Sequence, residues 1–367
     1  MEILEKKAGG YEQVVCGRDR AANYRAIIAV HNTTLGPALG GTRLWRYRGV
    51  KEALVDALRL ARGMTYKNAL AGLPLGGGKS VILAPAKITD RAALFRAHGR
   101  LVETLKGRYI TAEDVATTPA DMGCVALETK HVVGLEGRSG DPSPVTAHGV
   151  FRAILASAKY RWGSDSVAGK TVALQGCGSV GSRLAKKLHE AGAKLIVTDV
   201  DRERVENLIR DFGAEGVVPE DIYDARADIF APCALGGIIN DRTLPRLKVE
   251  IVAGAANNQL LEDRHGRALA KRGILYAPDY VANAGGVIHV CIGALSWEPA
   301  RVAAKVEGIY DTLLDIYRAA EVGGIPTSRA ADQLAERRLG LDAGPELKIL
   351  KVKGGVAAGL PILCPGT

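Results

Sequence analysis

One stretch, residues 171–199, limits the fold more than any other. The apolar run Thr171 to Gln175 reads as a strand, and Gly176, Gly178 and Gly181 follow it as G-x-G-x-x-G, with Ser179 and Val180 between the last two glycines. A helical stretch, Ser182 to Glu190, and a second strand, Lys194 to Thr198, come next, and Asp199 closes that strand. The glycines permit a tight turn and close approach of backbone to a pyrophosphate. The helix N-terminus faces the negative charge, and the carboxylate, roughly 20 residues beyond the first glycine, receives ribose hydroxyls. The glycine spacing alone also occurs in helix-packing turns, and it is the flanking strand, helix and acidic residue that point to a dinucleotide. Asp199 would repel a 2′-phosphate, which favours NAD over NADP, while Arg202 and Arg204 nearby offer cations that could accommodate one.

Around this unit the text alternates between strand-like and helix-like runs. Further apolar runs at Ala227 to Ala231, Glu250 to Ala253 and Gly273 to Ala277 are each separated by helical segments, the pattern of a doubly wound parallel sheet. The first 142 residues are a different text. Tyr24 to Val30 reads as a strand, and Val50 to Ala69 reads as a helix because Leu54, Ala57, Leu58, Ala61 and Met64 recur at helical spacing. Gly134 to Pro144, rich in Gly, Ser and Pro, reads as a domain boundary. A chain of 367 residues fits two domains. The expectation is therefore an α/β protein with a substrate and oligomerisation domain over 1–142, completed by about 322–367. A dinucleotide domain over 143–321 and a cleft between the two complete it. One long helix is expected from about Arg301 to Ala320, and another, capped by Thr327 or Ser328, ending near Arg338. The segment from Gly340 to Thr367 has no clean period.

Several classes are excluded. No run approaches 18 apolar residues, and Met1 to Lys7 mixes charges where a signal peptide has an apolar core, so a cytoplasmic protein is expected. Cys16, Cys124, Cys177, Cys233, Cys291 and Cys364 are scattered without a C-x-x-C pair, and the seven histidines show no metal spacing, so neither a metal site nor a disulfide framework is expected. The net charge of +9 comes from Lys and Arg dispersed among acidic residues, which argues against nucleic acid as partner.

Leu73 to Ser80 resembles a phosphate loop at first sight. Leu73 stands where the Walker motif has its first glycine, however, and Val81, Ile82, Leu83 and Ala84 continue as a strand rather than a helix. A lysine among glycines and apolar residues suggests another use. Burial disfavours its charged form and a second cation disfavours it further, so Lys79 could act as a base, with Lys67 a candidate for that cation and Asp114 adding a carboxylate. By residue type alone these three are equally compatible with surface or packing roles.

The run His31 to Arg43, the run Ala61 to Lys67 and the glycines ending at Lys79 resemble the glutamate, leucine, phenylalanine and valine dehydrogenase family, especially its leucine, valine and phenylalanine members. So do Asp228 to Gly237, Gly254 to Gln259 and Tyr276 to Gly286, and the resemblance covers about residues 11 to 340. Pro85-Ala86, where many relatives have Asp-Pro, departs from the pattern. The resemblance implies a Rossmann-type second domain, a homo-oligomer and reversible oxidative deamination of an apolar L-amino acid with NAD. In it Lys67 binds the α-carboxylate, Lys79 is the general base, and Asp114 exchanges protons with the nitrogen. Gly40 and Gly41 are close-approach glycines beside the substrate, with Met64 on the substrate side. Thr146, Asn258 and Asn283 hold the nicotinamide or the substrate, and Ala234 lies on the cofactor side. Leu39 and Val290 stand where glutamate-specific relatives have lysine and serine, and an apolar pocket does not offset desolvation of a second carboxylate. Ala112, Val287 and Val290 resemble the lining of branched-chain enzymes. Leucine, valine or isoleucine is thus favoured, with an aromatic amino acid as the alternative, since one methylene is worth only about 1–3 kcal/mol. A silent NAD-binding regulator is the reading from a different class, and the joint presence of Lys67, Lys79 and Asp114 weighs against it.

Overall fold

The computed structural model describes residues 1–137 and 140–341. They divide into two compact units, one of Met1–Pro142, Val287–Val302 and Ala335–Leu341, the other of Ser143–Gly286 and Ala303–Leu334.

The first unit is built from β1 (Glu2–Lys6), β2 (Gln13–Asp19), β3 (Tyr24–Asn32), β4 (Ala38–Trp45), α1 (Val50–Leu70), β5 (Gly76–Leu83), α2 (Arg91–Glu103), β6 (Tyr109–Glu113) and α3 (Pro119–Ala126). Its six strands run in the order β1-β2-β3-β5-β4-β6. The first three and β5 pair antiparallel, whereas β4 lies parallel to both β5 and β6. Side chains alternate across the sheet, and the alternation divides the core in two. Ile27, Ala29 and Val81 face α1 and meet its Ala53, Ala57 and Ala61. Ile28, Val30, Leu44 and Ile82 face the opposite way with Leu94, Phe95 and Leu101 of α2. Each large aliphatic side chain so buried contributes about 1.5–3 kcal/mol.

The α2 face also buries a polar cluster. Thr42 Oγ1 lies 2.7 Å from Ser80 Oγ and 2.9 Å from His98 Nε2, and the Tyr24 hydroxyl lies 2.9 Å from His98 Nδ1. Burial holds the His98 imidazole at about 3, so it is neutral.

The second unit contains α4 (Ser143–Trp162), β7 (Thr171–Gln175), α5 (Ser179–Glu190), β8 (Lys194–Thr198), α6 (Arg202–Phe212), β9 (Glu215–Gly216), β10 (Ile229–Pro232), β11 (Ile251–Val252), α7 (Asp263–Lys271), β12 (Leu275–Tyr276) and α8 (Asp279–Ala282). After these come α9 (Gly285–Leu295), α10 (Pro299–Glu307), α11 (Ile309–Gly323) and α12 (Thr327–Arg338). The six strands are all parallel in the order β12-β11-β10-β7-β8-β9. That is the doubly wound order in which the chain reverses direction across the sheet between β7 and β10, where such folds bind dinucleotides.

Three expectations need correction. The single helix over Arg301 to Ala320 is two, α10 and α11, interrupted at Gly308, where the glycine weakens a pattern that hydrophobic spacing alone reads as continuous. Thr327 is the first helical residue of α12 and spends its hydroxyl on the Tyr276 carbonyl, 2.7 Å away. The segments that return to the first unit are Val287–Val302 and Ala335–Leu341, not the whole of 322–367, and residues 342–367 lie outside the described residues. Within the first unit Arg338 donates to the carbonyls of Ala69 and Leu70 at 3.1 and 2.6 Å, so it satisfies the open end of α1.

Candidate active site

Lys79 sits in mid-strand on β5, and its odd number sends it to the α1 face together with Val81. It is 4% exposed. The strand geometry disposes of the phosphate-loop reading, which needs its lysine at the start of a helix. The glycines before it serve packing. A Cβ at Gly77 would lie 2.0 Å from the backbone nitrogen of Thr65, so only glycine lets α1 settle onto β5 two residues before the half-buried Lys67.

Asp114 follows the last residue of β6, one strand beyond β4. Its Oδ1 meets Lys79 Nζ at 3.0 Å, so the ion pair bridges over β4. Gly41 is the crossing point. A Cβ there would lie 2.3 Å from the Glu113 carbonyl oxygen and 2.8 Å from Asp114 Cβ. At Gly40 a Cβ would strike the Gly78 carbonyl oxygen. The register pairs Gly41 with Ala112 and Leu39 with Gly77, so Leu39, Gly41, Lys79 and Ala112 share the α1 face. Met64 is half-buried on α1, and Val287 and Val290 are half-buried on α9, one turn apart.

Electrostatics couples the pair. Burial lowers the Lys79 ammonium from its ordinary value and Arg43 lowers it further, while Asp114 opposes both. Burial raises the Asp114 carboxyl, but Lys79 and Arg43 together overcome this and hold it at about 2. Arg43, on the same face of β4 as Gly41, is thus a cation acting on Lys79 that the sequence reading did not single out. Arg43 Nε donates to Asp114 Oδ2 at 3.0 Å and its Nη1 to Asp56 Oδ2 on α1, also at 3.0 Å. Tyr47 donates its hydroxyl to Asp56 at 2.8 Å. The sequence signal for Arg43 was its odd-numbered place two residues after Gly41. Nothing local distinguished Asp56 from other helix-surface acids.

In the second unit the glycine motif has the shape a dinucleotide needs. Gly176 takes φ +99°, and a Cβ on it would meet Ala234 N at 2.9 Å, while one on Gly181 would lie 1.9 Å from the Gly176 carbonyl oxygen. Gly178 precedes α5 and supplies no side-chain cap, so capping side chains leave the first-turn N–H groups of Ser179 and Val180 to a ligand. Asp199 accepts from the Cys177 and Asp201 N–H groups at 2.7 and 2.9 Å, which fixes the carboxylate and leaves lone pairs for ribose hydroxyls. Arg204 pairs with Asp201 at 3.0 Å. Asn283, 6% exposed, donates to the Ala255 carbonyl and to Asn257 Oδ1, and its own Oδ1 is a buried acceptor with no partner among the described residues, as an amide donor of a ligand requires. Thr146 lies against the next glycines: a Cβ on Gly286 would be 3.1 Å from its Oγ1. Asn258 is exposed in the left-handed region at φ 52°. Cys177 and Cys233 are thiols that burial pushes up to about 12, packed rather than reactive. Among the described residues no cluster of metal-ligating side chains occurs, and no helix is long and apolar enough to cross a membrane.

Comparison with known proteins gives the family. Residues 12–131 match the family model of the Glu/Leu/Phe/Val dehydrogenase dimerisation domain, and residues 137–205 and 197–338 match that of the Glutamate/Leucine/Phenylalanine/Valine dehydrogenase domain. The chain belongs to the Glu/Leu/Phe/Val dehydrogenase family. It is an amino acid dehydrogenase, of a family that works with a nicotinamide nucleotide. It is 55% identical to a leucine dehydrogenase of Thermoactinomyces intermedius over 332 residues, 90% of this chain and 91% of the relative. It is 46% identical to a phenylalanine dehydrogenase of Caldalkalibacillus thermarum over 90% of this chain and 91% of the relative. The crystal structure of the L-tryptophan dehydrogenase from Nostoc punctiforme superposes with a TM-score of 0.82 at 48% identity, covering 90% of this dehydrogenase and 96% of that chain.

Proposed function

We infer that this amino acid dehydrogenase catalyses the reversible oxidative deamination of an apolar L-amino acid, with leucine, valine or isoleucine preferred, to the 2-oxo acid, ammonia and NADH. The 3.0 Å pairing of Lys79 with Asp114 on the α1 face of the first unit carries the reading. Deamination needs one group that takes a proton from water and another that manages protons on nitrogen, and an amine whose charged form burial disfavours, beside a carboxylate, supplies both.

In this reading Lys67 holds the substrate α-carboxylate as a point charge. A bound nicotinamide supplies the acceptor for the hydride that leaves the substrate Cα. Lys79, once neutral, takes a proton from water as its oxygen bonds to the iminium carbon. Asp114 is held down by two cations while Lys79 is charged. While Lys79 is neutral, before water adds, one of them is gone and Asp114 can take a proton from the nitrogen; once Lys79 has taken the proton from water the second cation is back, and Asp114 gives its proton up to the departing nitrogen. Ammonia then departs as the carbinolamine collapses to the 2-oxo acid.

Leu39, buried on the same sheet face, and half-buried Ala112, Val287 and Val290 support an apolar substrate, because a second carboxylate has no cation among them. The 55% identity to a leucine dehydrogenase, against 46% to a phenylalanine dehydrogenase, supports an aliphatic preference. Asp199, held at both oxygens, supports NAD over NADP. A homo-oligomer is proposed on the dimerisation-domain match over 12–131. The test is nicotinamide reduction followed by absorbance with leucine, valine, isoleucine, phenylalanine, tryptophan and glutamate. The aliphatic three should give the highest kcat/KM with NAD. Glutamate as best substrate would refute the pocket reading, and no turnover with any of them would refute the activity.

A further inference from the structure

Two residues that no part of the deamination scheme uses stand directly behind its carboxylate. Arg43 reaches across from β4 and gives Asp114 Oδ2 its Nε proton at 3.0 Å, on the oxygen that does not face Lys79. From its other side Arg43 gives an Nη1 proton to Asp56 Oδ2 of α1 at 3.0 Å, and the same Asp56 oxygen accepts the Tyr47 hydroxyl at 2.8 Å. Arg59, further along α1, closes on Asp56 Oδ1 at 3.2 Å. Arg43 and Asp56 are largely buried, with side chains 21% and 16% exposed. The charges around Lys79 therefore alternate: Lys79, Asp114, Arg43, Asp56. Thr117 fixes the near end, because its hydroxyl accepts the Asp114 N–H at 2.8 Å and lies 3.1 Å from the Thr42 carbonyl oxygen, so the turn after β6 is tied to β4.

We propose that Arg43 and Asp56, with Tyr47 behind them, are positioning residues of the deamination site, a chain of alternating charges that aims Asp114 and sets the electrostatic balance under which Lys79 works. The proposal rests on the assignment of Lys79 as base. Arg43 does two things at once: it orients the carboxylate by holding one oxygen, and it competes with Lys79 for the carboxylate charge. Asp56 tempers that competition by holding Arg43 from the far side. The groups that bear on Lys79 include Asp114 after β6, Arg43 on β4 and Asp56 on α1. Those bearing on Asp114 are Lys79, Arg43 and the Val115 N–H. A mere structural brace would weaken in the same sense whichever member is cut. A charge chain responds with opposite signs.

The experiment compares Arg43→Met and Asp56→Asn in the full-length enzyme, with Arg43→Lys as the variant that keeps the charge. Ionisation of Lys79 is read directly, as the pH dependence of its trace acetylation by acetic anhydride, with the Lys79 peptide quantified by mass spectrometry. In parallel kcat/KM for oxidative deamination of leucine is measured against pH. Arg43→Met should move the Lys79 midpoint up, Asp56→Asn should move it down, each on the order of one pH unit, and Arg43→Lys should stay near wild type. The kcat/KM profiles should follow. Midpoints that do not move, or that move the same way in Arg43→Met and Asp56→Asn, overturn the proposal. Opposite shifts in acetylation that the kcat/KM profiles do not follow uphold the chain and refute Lys79 as base. Asp56→Asn is nearly isosteric, so the sign of its shift alone decides the matter should Arg43→Met fail to fold.

Discussion

Replacing Gly41 by alanine should cost this enzyme about two orders of magnitude in kcat/KM, and the figure follows from the geometry. The new methyl carbon would lie 2.3 Å from the Glu113 carbonyl oxygen and 2.8 Å from Asp114 Cβ, where ordinary contact begins at 3.4 Å. Relief requires β6 to draw away from β4 by about 1 Å, a typical response to overpacking. Asp114 rides on the end of β6, so its 3.0 Å contact with Lys79 opens to roughly 4 Å. At an effective dielectric of about 20 the pair loses about 1.4 kcal/mol of attraction, and the charged hydrogen bond, worth about 1.5–3 kcal/mol, is largely forfeited. A loss of about 3 kcal/mol is roughly a hundredfold in rate. The assay is steady-state kinetics with leucine and NAD, with thermal unfolding measured alongside. Gly63→Ala is the control: it lies within α1 with nothing inside 4 Å, and alanine there should stabilise by about 0.5–1 kcal/mol without touching turnover. A Gly41→Ala enzyme within threefold of wild type would refute the argument that the crossing at Gly41 sets the pair.

Lys79→Ala should lose about 10²–10⁴ of turnover while its affinity for NADH, measured by fluorescence titration, stays near wild type; near-normal rates would sink the base assignment. Because burial lowers the Lys79 ammonium, oxidative deamination should rise with pH above neutrality and level off once that amine is neutral, so a flat profile counts against it. Asp199→Ala should narrow the preference for NAD over NADP by about tenfold or more in kcat/KM, since the carboxylate no longer repels a 2′-phosphate; an unchanged ratio would remove Asp199 from cofactor choice. His98, held at about 3 when folded, takes up its proton in the unfolded chain first. Stability should therefore fall as pH drops below the ordinary histidine value, by about 3 kcal/mol at about pH 4. His98→Gln should flatten that acid limb in denaturant titrations, and an identical limb would show that other groups govern acid unfolding.

Sequence and structure divide the account along a physical line. Features that depend on neighbours in the chain were legible: the strand Thr171–Gln175, the glycine turn that follows it, the helix Val50–Leu70 and the strand character of Val81 to Leu83, since backbone conformation and amphipathic period are local. Where a local rule competed with a single residue it misled, as at Gly308, which divides a helix that the hydrophobic pattern makes continuous. The residue types at 67, 79 and 114 were visible, but nothing in the linear text joined them without the family resemblance.

What the amino-acid sequence determined by itself was thus the α/β class, the doubly wound half and the alternation that assigns each strand residue to a face. Only the tertiary structure decided that β4 lies between β5 and β6, that a missing side chain at Gly41 lets Lys79 reach Asp114 over it, and that Arg43 and Asp56 complete the chain of charges. The reason is that strand order and the pairing of buried charges are long-range choices. They are settled by which faces bury the most apolar surface, and residues such as Asp56 and Asp114 come within reach of one guanidinium only once that burial has fixed the sheet.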